Sequence, residues 1–198
     1  IINAVNQGEV TRVLEKPFES QKLVGAIEDV LSARQRMAEV ARVQEMAASE
    51  QEREMLKECL QDQHIQLALQ PIICTADRRI LAYECLLRSD HPVLDGPLSV
   101  LRAAERHDSL PQVAEVVVDR VRRWLEVMPG NVKLFMNLHP DELADAAGMT
   151  SRLSPLVPWA DRVVLEITER SRLQGIDHWE EAVEQVSNQG FALAVDDL

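Results

Sequence analysis

Aromatic residues and cysteine are both scarce in this sequence. Phe, Trp and Tyr make up only 4% of the 198 residues although 46% are hydrophobic. The apolar side chains are therefore mostly Leu, Val, Ala and Ile, which favour helices and buried parallel strands over an all-β sandwich. The three cysteines, Cys59, Cys74 and Cys85, form no CxxC pair, which argues against a disulfide framework and a zinc ribbon. We expect an α/β protein in a reducing, cytoplasmic setting.

Positive charge and long apolar runs are also lacking. The 33 acidic residues outnumber the 21 basic ones, and the formal net charge of −12 opposes attraction to DNA, RNA or an anionic membrane. No apolar run reaches the length of a membrane span, and residues 1–6 lack the regions of a signal peptide. We expect neither a nucleic-acid polymer nor a membrane as partner. A small anionic substrate still fits if metal ions neutralise it.

The first half of the sequence predicts one long helix. No glycine or proline lies between Gly25 and Pro71, and apolar residues recur at helical spacing from Ser20 to about Gln61. We interpret residues 32–61 as a signalling helix or imperfect coiled coil, with a solvated linker helix that has no partner as the alternative. A second copy of the chain could pair along the apolar stripe, which predicts a homodimer; the stripe contains Leu23, Ile27, Val30, Met37 and Val40.

Beyond Gln63, short β-prone runs alternate with helical stretches. This order predicts a parallel or mostly parallel sheet, either doubly wound or closed into a barrel. No glycine-rich phosphate loop follows the first strand, so the barrel is preferred. The predicted strands are 67–73, 80–87, 132–138, 163–168 and 191–195, and the predicted helices are 98–106, 112–127, 140–147 and 179–189.

Several predicted strands end in a carboxylate or an amide. Glu84, Asn137, Glu166 and Asp196 each follow apolar residues, and Asp197 comes next. Taken singly, any of these acids could be half of an ion pair, but the carboxyl ends of barrel strands share one face, so the set can converge. Oxygen ligands of this kind suit Mg²⁺ or Mn²⁺ rather than zinc. Asp197 would let a second cation bind, with Asp196 bridging the two, and paired cations are typical of phosphodiester hydrolysis.

The order of these motifs closely resembles the EAL domain family. The matching segments are Gln70-Pro71-Ile72, Tyr83-Glu84-Cys85-Leu86-Leu87-Arg88, Asn137-Leu138-His139-Pro140, Leu165-Glu166-Ile167-Thr168-Glu169 and Asp196-Asp197-Leu198. The resemblance implies a (β/α)₈ barrel of the TIM type that cleaves cyclic di-GMP to linear pGpG with two Mg²⁺ or Mn²⁺ ions. Cys85 replaces the middle alanine of the family's tripeptide, a change between small residues, and Leu198 stands where phenylalanine usually follows the aspartates.

The resemblance also assigns roles to individual residues. It implies that Glu84, Asn137, Glu166 and Asp196 are ligands of one metal ion and that Asp197 holds the second. Catalysis would depend on Glu84, Asp196 and Asp197. In addition, the resemblance implies that Gln70 and Arg88 contact the substrate and that Glu169 steadies the loop near the metals.

The N-terminal residues are similar to the end of a response-regulator receiver domain. Leu14-Glu15-Lys16-Pro17-Phe18 resembles its last strand and Lys-Pro turn, in which the lysine, here Lys16, contacts the phosphoryl group of an aspartate. This resemblance implies two-component signalling with an upstream sensor histidine kinase. We expect three regions: the end of a receiver domain at 1–31, the linker helix at 32–61, and the N-terminal part of an EAL domain at 62–198.

The segment 62–198 is expected to hold roughly five of the eight strands of a complete barrel. We therefore expect the chain by itself to be inactive and its parent protein to be the phosphodiesterase. The alternative is a catalytically silent receptor for cyclic di-GMP or a protein-interaction module. His91, His107, His139 and His178 lack zinc-site spacing, and we expect them to be solvated or to cap helices.

Overall fold

The structure is a computed structural model that describes residues 14, 17, 19–61, 64–168, 176 and 179–196. Glu169, Asp197, His178 and most of the receiver-like segment 14–18, including Lys16, lie outside these ranges. The chain divides into two compact units, Ile1–Gln51 and Glu52–Leu198. Among the described residues, no helix is long and apolar enough to cross a membrane.

Helix α1, Ser20–Gln61, is the long helix that the sequence predicts. It begins where the carbonyl of Glu19 accepts hydrogen bonds from the backbone amides of Lys22 and Leu23. Much of its apolar stripe is exposed within the first unit, with Met37 at 74% and Val40 at 57% of full exposure. The helix becomes buried only near its C-terminal end, at Leu56 and Cys59.

The second unit contains a five-stranded sheet with strand order β1-β2-β3-β4-β5. The strands follow the predicted positions closely. Runs of β-branched and aliphatic residues between polar turns set the observed bounds, and the prediction was based on the same runs. Their bounds are β1 Ile65–Ile73, β2 Ile80–Ser89, β3 Lys133–Leu138, β4 Val163–Thr168 and β5 Ala192–Asp196. The pairs from β2 to β5 are parallel, whereas β1 and β2 are antiparallel.

A short hairpin accounts for the antiparallel pair. Only residues 74–79 join β1 to β2, and a parallel crossover needs about a dozen residues or more. The backbone amides of Cys74 and Arg78 bond to the carbonyls of Arg79 and Cys74, and Arg78 has a positive φ of 60°. The carboxylate of Asp77 accepts a hydrogen bond from the backbone amide of Arg79.

Helices connect the parallel strands. The predicted helix at 140–147 is instead two elements, because Asp145 leaves helical geometry and its side chain caps the next helix by accepting from the amide of Gly148 at 2.9 Å. The 3₁₀ helix η2, Ser154–Arg162, was not predicted and contains Pro155 and Pro158. The bounds are α2 Pro97–Arg106, α3 Leu110–Val127, η1 Pro140–Ala144, α4 Ala146–Leu153, η2 Ser154–Arg162 and α5 Trp179–Asn188.

The core lies on one face of the sheet. Buried strand residues such as Cys85, Met136 and Leu165 share a cluster with Val121 of α3 and Val186 of α5. A second cluster, around Leu56, Ile65 and Val100, joins the end of α1 to α2. Since side chains alternate along a strand, the residues between these buried positions lie on the opposite face.

Candidate active site

The opposite face of the sheet carries the polar residues singled out from the sequence. Strand register pairs Gln70 with Glu84, pairs Asn137 with Glu166, and aligns Glu84 with Phe135, two residues before Asn137. Paired residues on neighbouring strands lie on the same face, as do residues two apart on one strand. These four side chains therefore share the face that is turned away from the helices.

Glu84 and Asn137 are in contact. The Asn137 Nδ2 donates to Glu84 Oε1 at 3.3 Å. Glu84 lies in the middle of β2 rather than at its end. After Cys85, β2 is still paired with β1 but no longer with β3. Relative to the parallel part of the sheet, Glu84 is thus near the carboxyl edge, where the sequence predicted the acids to meet.

Asp196 is the last residue of β5 and is paired in register with Thr168 at the end of β4. Ala194, two residues before Asp196, is paired with Glu166. Asp196 therefore lies two residues nearer the carboxyl edge than Glu166. The metal-binding and catalytic role of Asp197, the loop role of Glu169 and the receiver role of Lys16 concern residues outside those that the structure describes.

Gln70 and Arg88 flank this group on the antiparallel pair. Arg88 is four residues after Glu84 on β2 and lies on the same face by alternation. Its side chain is exposed, and its Nη1 donates to the carbonyl of Leu87 at 2.7 Å. Gln70 is also exposed, so an amide and a guanidinium border the carboxylate–amide group and are open to a ligand.

The residue next to Glu84 has a different environment. Cys85 faces the helices and is 3% exposed. Burial, reinforced by the charges of Glu84 and Glu166, raises the pKa of the Cys85 thiol to about 12. The thiol therefore stays protonated at neutral pH and acts as a small apolar core residue, which is consistent with its replacing alanine in the motif.

His139 lies beside the site and caps η1, which confirms the capping role predicted for it. His139 follows Asn137 by two residues, and its Nδ1 accepts from the backbone amide of Asp141 at the start of η1. Its Nε2 is 3.2 Å from Glu105 Oε1, and ligand-type atoms of His139, Glu105 and Asp141 lie within 4.8 Å of one another.

His91 differs from the prediction, because it is buried and its Nδ1 accepts from the backbone amides of Val93 and Leu94 in the loop before α2 rather than in a helix. His107 is the C-cap residue of α2. Its Nε2 lies 3.0 Å from Glu52 Oε2, and Arg106 bonds to the same carboxylate. Glu52 therefore ties the end of α1 to the end of α2, and these contacts hold the pKa of Glu52 below its usual value, with Arg106 the largest cause.

The donor set fits a hard divalent cation. Glu84 and Glu166 supply carboxylates and Asn137 supplies an amide, from three neighbouring strands on one face. Oxygen donors without thiolate or imidazole suit Mg²⁺ or Mn²⁺. Asn137 would bind a cation through Oδ1, so its present contact with Glu84 through Nδ2 would be exchanged for metal coordination.

This arrangement, a mostly parallel α/β sheet with carboxylate and amide side chains at its carboxyl edge, is typical of TIM-type barrels and doubly wound α/β proteins, both of which carry their sites on that edge. The EAL domain model matches residues 53–198. The chain belongs to the EAL domain family. The predicted family and the predicted fold, part of a TIM-type barrel, are thereby confirmed.

Two individual proteins with similar sequences are consistent with this family assignment. The chain is 27% identical over 152 residues to the bifunctional diguanylate cyclase/cyclic di-GMP phosphodiesterase MucR of Pseudomonas aeruginosa, covering 72% of this chain and 22% of that protein. It is 28% identical over 156 residues to the cyclic di-GMP phosphodiesterase NbdA of the same organism, covering 73% and 20%. The chain thus spans about a fifth of the length of these curated relatives.

A solved structure of similar fold contains a bound nucleotide. The PaMucR phosphodiesterase in complex with c-di-GMP matches with a TM-score of 0.64 and 25% identity, covering 75% of this chain and 64% of that one. The Xanthomonas citri FimX EAL domain matches with a TM-score of 0.62 and 20% identity, covering 76% and 62%. At that identity the second likeness concerns the fold alone.

Proposed function

We propose that the protein containing this chain hydrolyses cyclic di-GMP to linear pGpG with the help of two Mg²⁺ or Mn²⁺ ions. The observation that carries the proposal is the convergence of Glu84, Asn137 and Glu166 on one sheet face in a member of the EAL family. The activity printed for MucR and NbdA supports the same substrate. The face also bears Arg88 and Gln70, whose groups suit a phosphodiester and a guanine base.

Each residue has a proposed task. Glu84, Asn137, Glu166 and Asp196 would hold one cation, and Asp197 would hold the second, with Asp196 contributing to both. When bound, these cations supply water activation and neutralisation of charge on the phosphoryl oxygens.

The remaining tasks concern the substrate and the adjoining loop. Arg88 positions a substrate phosphate through its guanidinium, Gln70 contacts the nucleotide, and Glu169 steadies the loop beside the acids.

The proposal extends to the architecture around the barrel. Residues 1–31 form the end of a receiver domain with Lys16 near the phosphoryl group, so a sensor histidine kinase regulates the protein through the linker at 32–61. The exposed apolar stripe of α1 supports pairing of two copies along this helix. The site of action is the cytoplasm, where cyclic di-GMP would be available to the protein.

The test is turnover by the complete protein. Cyclic di-GMP is incubated with Mg²⁺ or Mn²⁺, and the products are separated by chromatography, with a metal-chelated sample as control. We expect pGpG in the metal-containing samples only. Binding of cyclic di-GMP by calorimetry without any pGpG would overturn the enzyme proposal and favour the silent receptor.

A further inference from the structure

A cavity of about 340 Å³ lies on the helix-covered side of β2 and β3, beneath α2 and α3. Arg88, Asn137 and His139 also line it, so the cavity reaches the carboxyl edge of the sheet beside the candidate site. Most of its wall is apolar, and contributing side chains include Leu67, Leu87, Met136, Leu101, Val113 and Val117. Its volume is within the range of small-molecule pockets, which are mainly apolar with a few polar groups that fix the ligand's orientation.

The cavity adjoins both halves of a divided core. Its wall includes Met136 and Leu153 from the main cluster and Val113 from the cluster beside α1, while Val117 packs against both. An apolar ligand in this cavity would contact side chains of both clusters.

One end of the cavity is polar. Arg152 and Glu142 line it and are buried, with side chains 11% and 9% exposed. Their ion pair is long, at 3.5 Å from Nη2 to Oε2, and Arg152 reaches Asp145 only at 3.9 Å. The Arg152 Nε is buried and has no hydrogen-bond partner within the described ranges. A buried guanidinium with weak pairing favours an additional anionic acceptor.

We propose that this cavity binds a small amphipathic carboxylate, with its apolar body against Val113, Val117 and Met136 and its carboxylate bonded to Arg152. The cavity offers a long apolar wall and a buried cation at one end, which match a ligand of this chemistry. A nucleotide fits less well, because its phosphates would bring more charge than this end of the cavity can pair. The cavity borders the proposed catalytic residues, but binding is measured without cyclic di-GMP, so this proposal and the phosphodiesterase proposal can fail separately.

The probes are octanoate and octanol, added to the complete protein. Calorimetry and the midpoint of thermal unfolding are measured. We expect saturable octanoate binding that raises the midpoint. Val117→Phe, which fills the cavity, should abolish binding and the shift. Val127→Phe makes the same substitution at a position of α3 that is 74% exposed and should leave both unchanged.

A second variant tests the polar end. Arg152→Gln should weaken octanoate binding about tenfold, the usual scale for a charge-assisted hydrogen bond, and leave octanol binding unaltered. Ala114→Leu serves as the cavity-filling variant if circular dichroism finds Val117→Phe unfolded. The proposal is overturned by absence of saturable octanoate binding, by unchanged binding to a folded cavity-filling variant, or by equal effects of Arg152→Gln on octanoate and octanol.

Discussion

Arg162 is a buried cation that closes the loop between α3 and β3. Its Nε donates to the carbonyl of Val132, its Nη1 to that of Leu125 and its Nη2 to that of Pro129, at 3.0, 3.3 and 3.0 Å. Leu125 belongs to the last turn of α3, where carbonyls lack helical partners and a cation is favoured. One side chain thus joins the residue before β3 to the residue before β4, at the amino ends of the two strands.

Replacing Arg162 with methionine should lower the free energy of unfolding by about 3 kcal/mol, because three carbonyls lose a charged donor. The control is Arg123→Met on the exposed surface of α3, which should change the free energy of unfolding by less than about 0.5 kcal/mol. Urea unfolding followed by circular dichroism measures both. Equal stability of the two variants would contradict the anchoring role.

Glu142 should make stability depend on pH. Burial raises its pKa from 4.5 to about 6, and Arg152 only partly opposes this. The folded state therefore holds the proton more tightly than the unfolded state, so the contribution is present below pH 4.5 and is lost as pH rises through 6.

Between pH 4 and pH 7, wild type should lose about 2 kcal/mol relative to Glu142→Gln, which does not titrate. Denaturant titrations at several pH values measure the difference between the two proteins. A difference that stays constant with pH would show that the carboxyl is not shifted upward.

Arg88→Ala should mainly weaken substrate binding. A phosphate contact that is made in both the ground and transition states is uniform binding, so its loss raises KM more than it lowers kcat. Steady-state kinetics on the complete protein measure this, with Arg78→Ala in the exposed hairpin as control. A large fall in kcat with unchanged KM would assign Arg88 a role in the transition state instead.

At the scale of elements, the sequence predicted the strands and helices well where one pattern dominated. The bounds of β4 coincide with the predicted 163–168, and α2 begins one residue earlier than predicted, at Pro97. An uninterrupted aliphatic run between turn residues leaves little choice of structure.

The sheet is mostly parallel, as predicted, and the short connection at 74–79 accounts for the antiparallel pairing of β1 with β2. Errors arose where local geometry decided the outcome. The division between η1 and α4 depends on the backbone of Asp145, whose φ of −123° and ψ of 74° reflect a capping contact that composition does not show.

Helix α1 carries an element-scale prediction. If its exposed stripe pairs with a second copy, Met37→Glu together with Val40→Glu should convert a dimer of the complete protein to monomer, because charges at the seam are desolvated without partners. Sedimentation at micromolar concentration measures this, and Gln35→Glu with Arg42→Glu provides a control at other positions on the helix. A monomeric wild type would leave α1 a solvated linker.

At the scale of the whole molecule, the sheet separates two kinds of residue. One face packs Cys85, Met136 and Leu165 against helices, and the other presents Glu84, Asn137 and Glu166. The alternation was readable from sequence, because an acid between apolar neighbours in a strand must lie on the other face. Contact between Glu84 and Asn137 was not readable in detail, since it depends on the register of β2 with β3.

The most direct test of the central claim is hydrolysis of cyclic di-GMP by the Asp196→Asn variant of the complete protein. The substitution keeps the size of the side chain and removes a charge that two cations are proposed to share. We predict that kcat at saturating Mg²⁺ falls on the order of a thousandfold or more, while Asp161→Asn, an exposed site in η2, keeps wild-type activity. Near-normal kcat for folded Asp196→Asn would contradict the two-metal account of the strand-end acids.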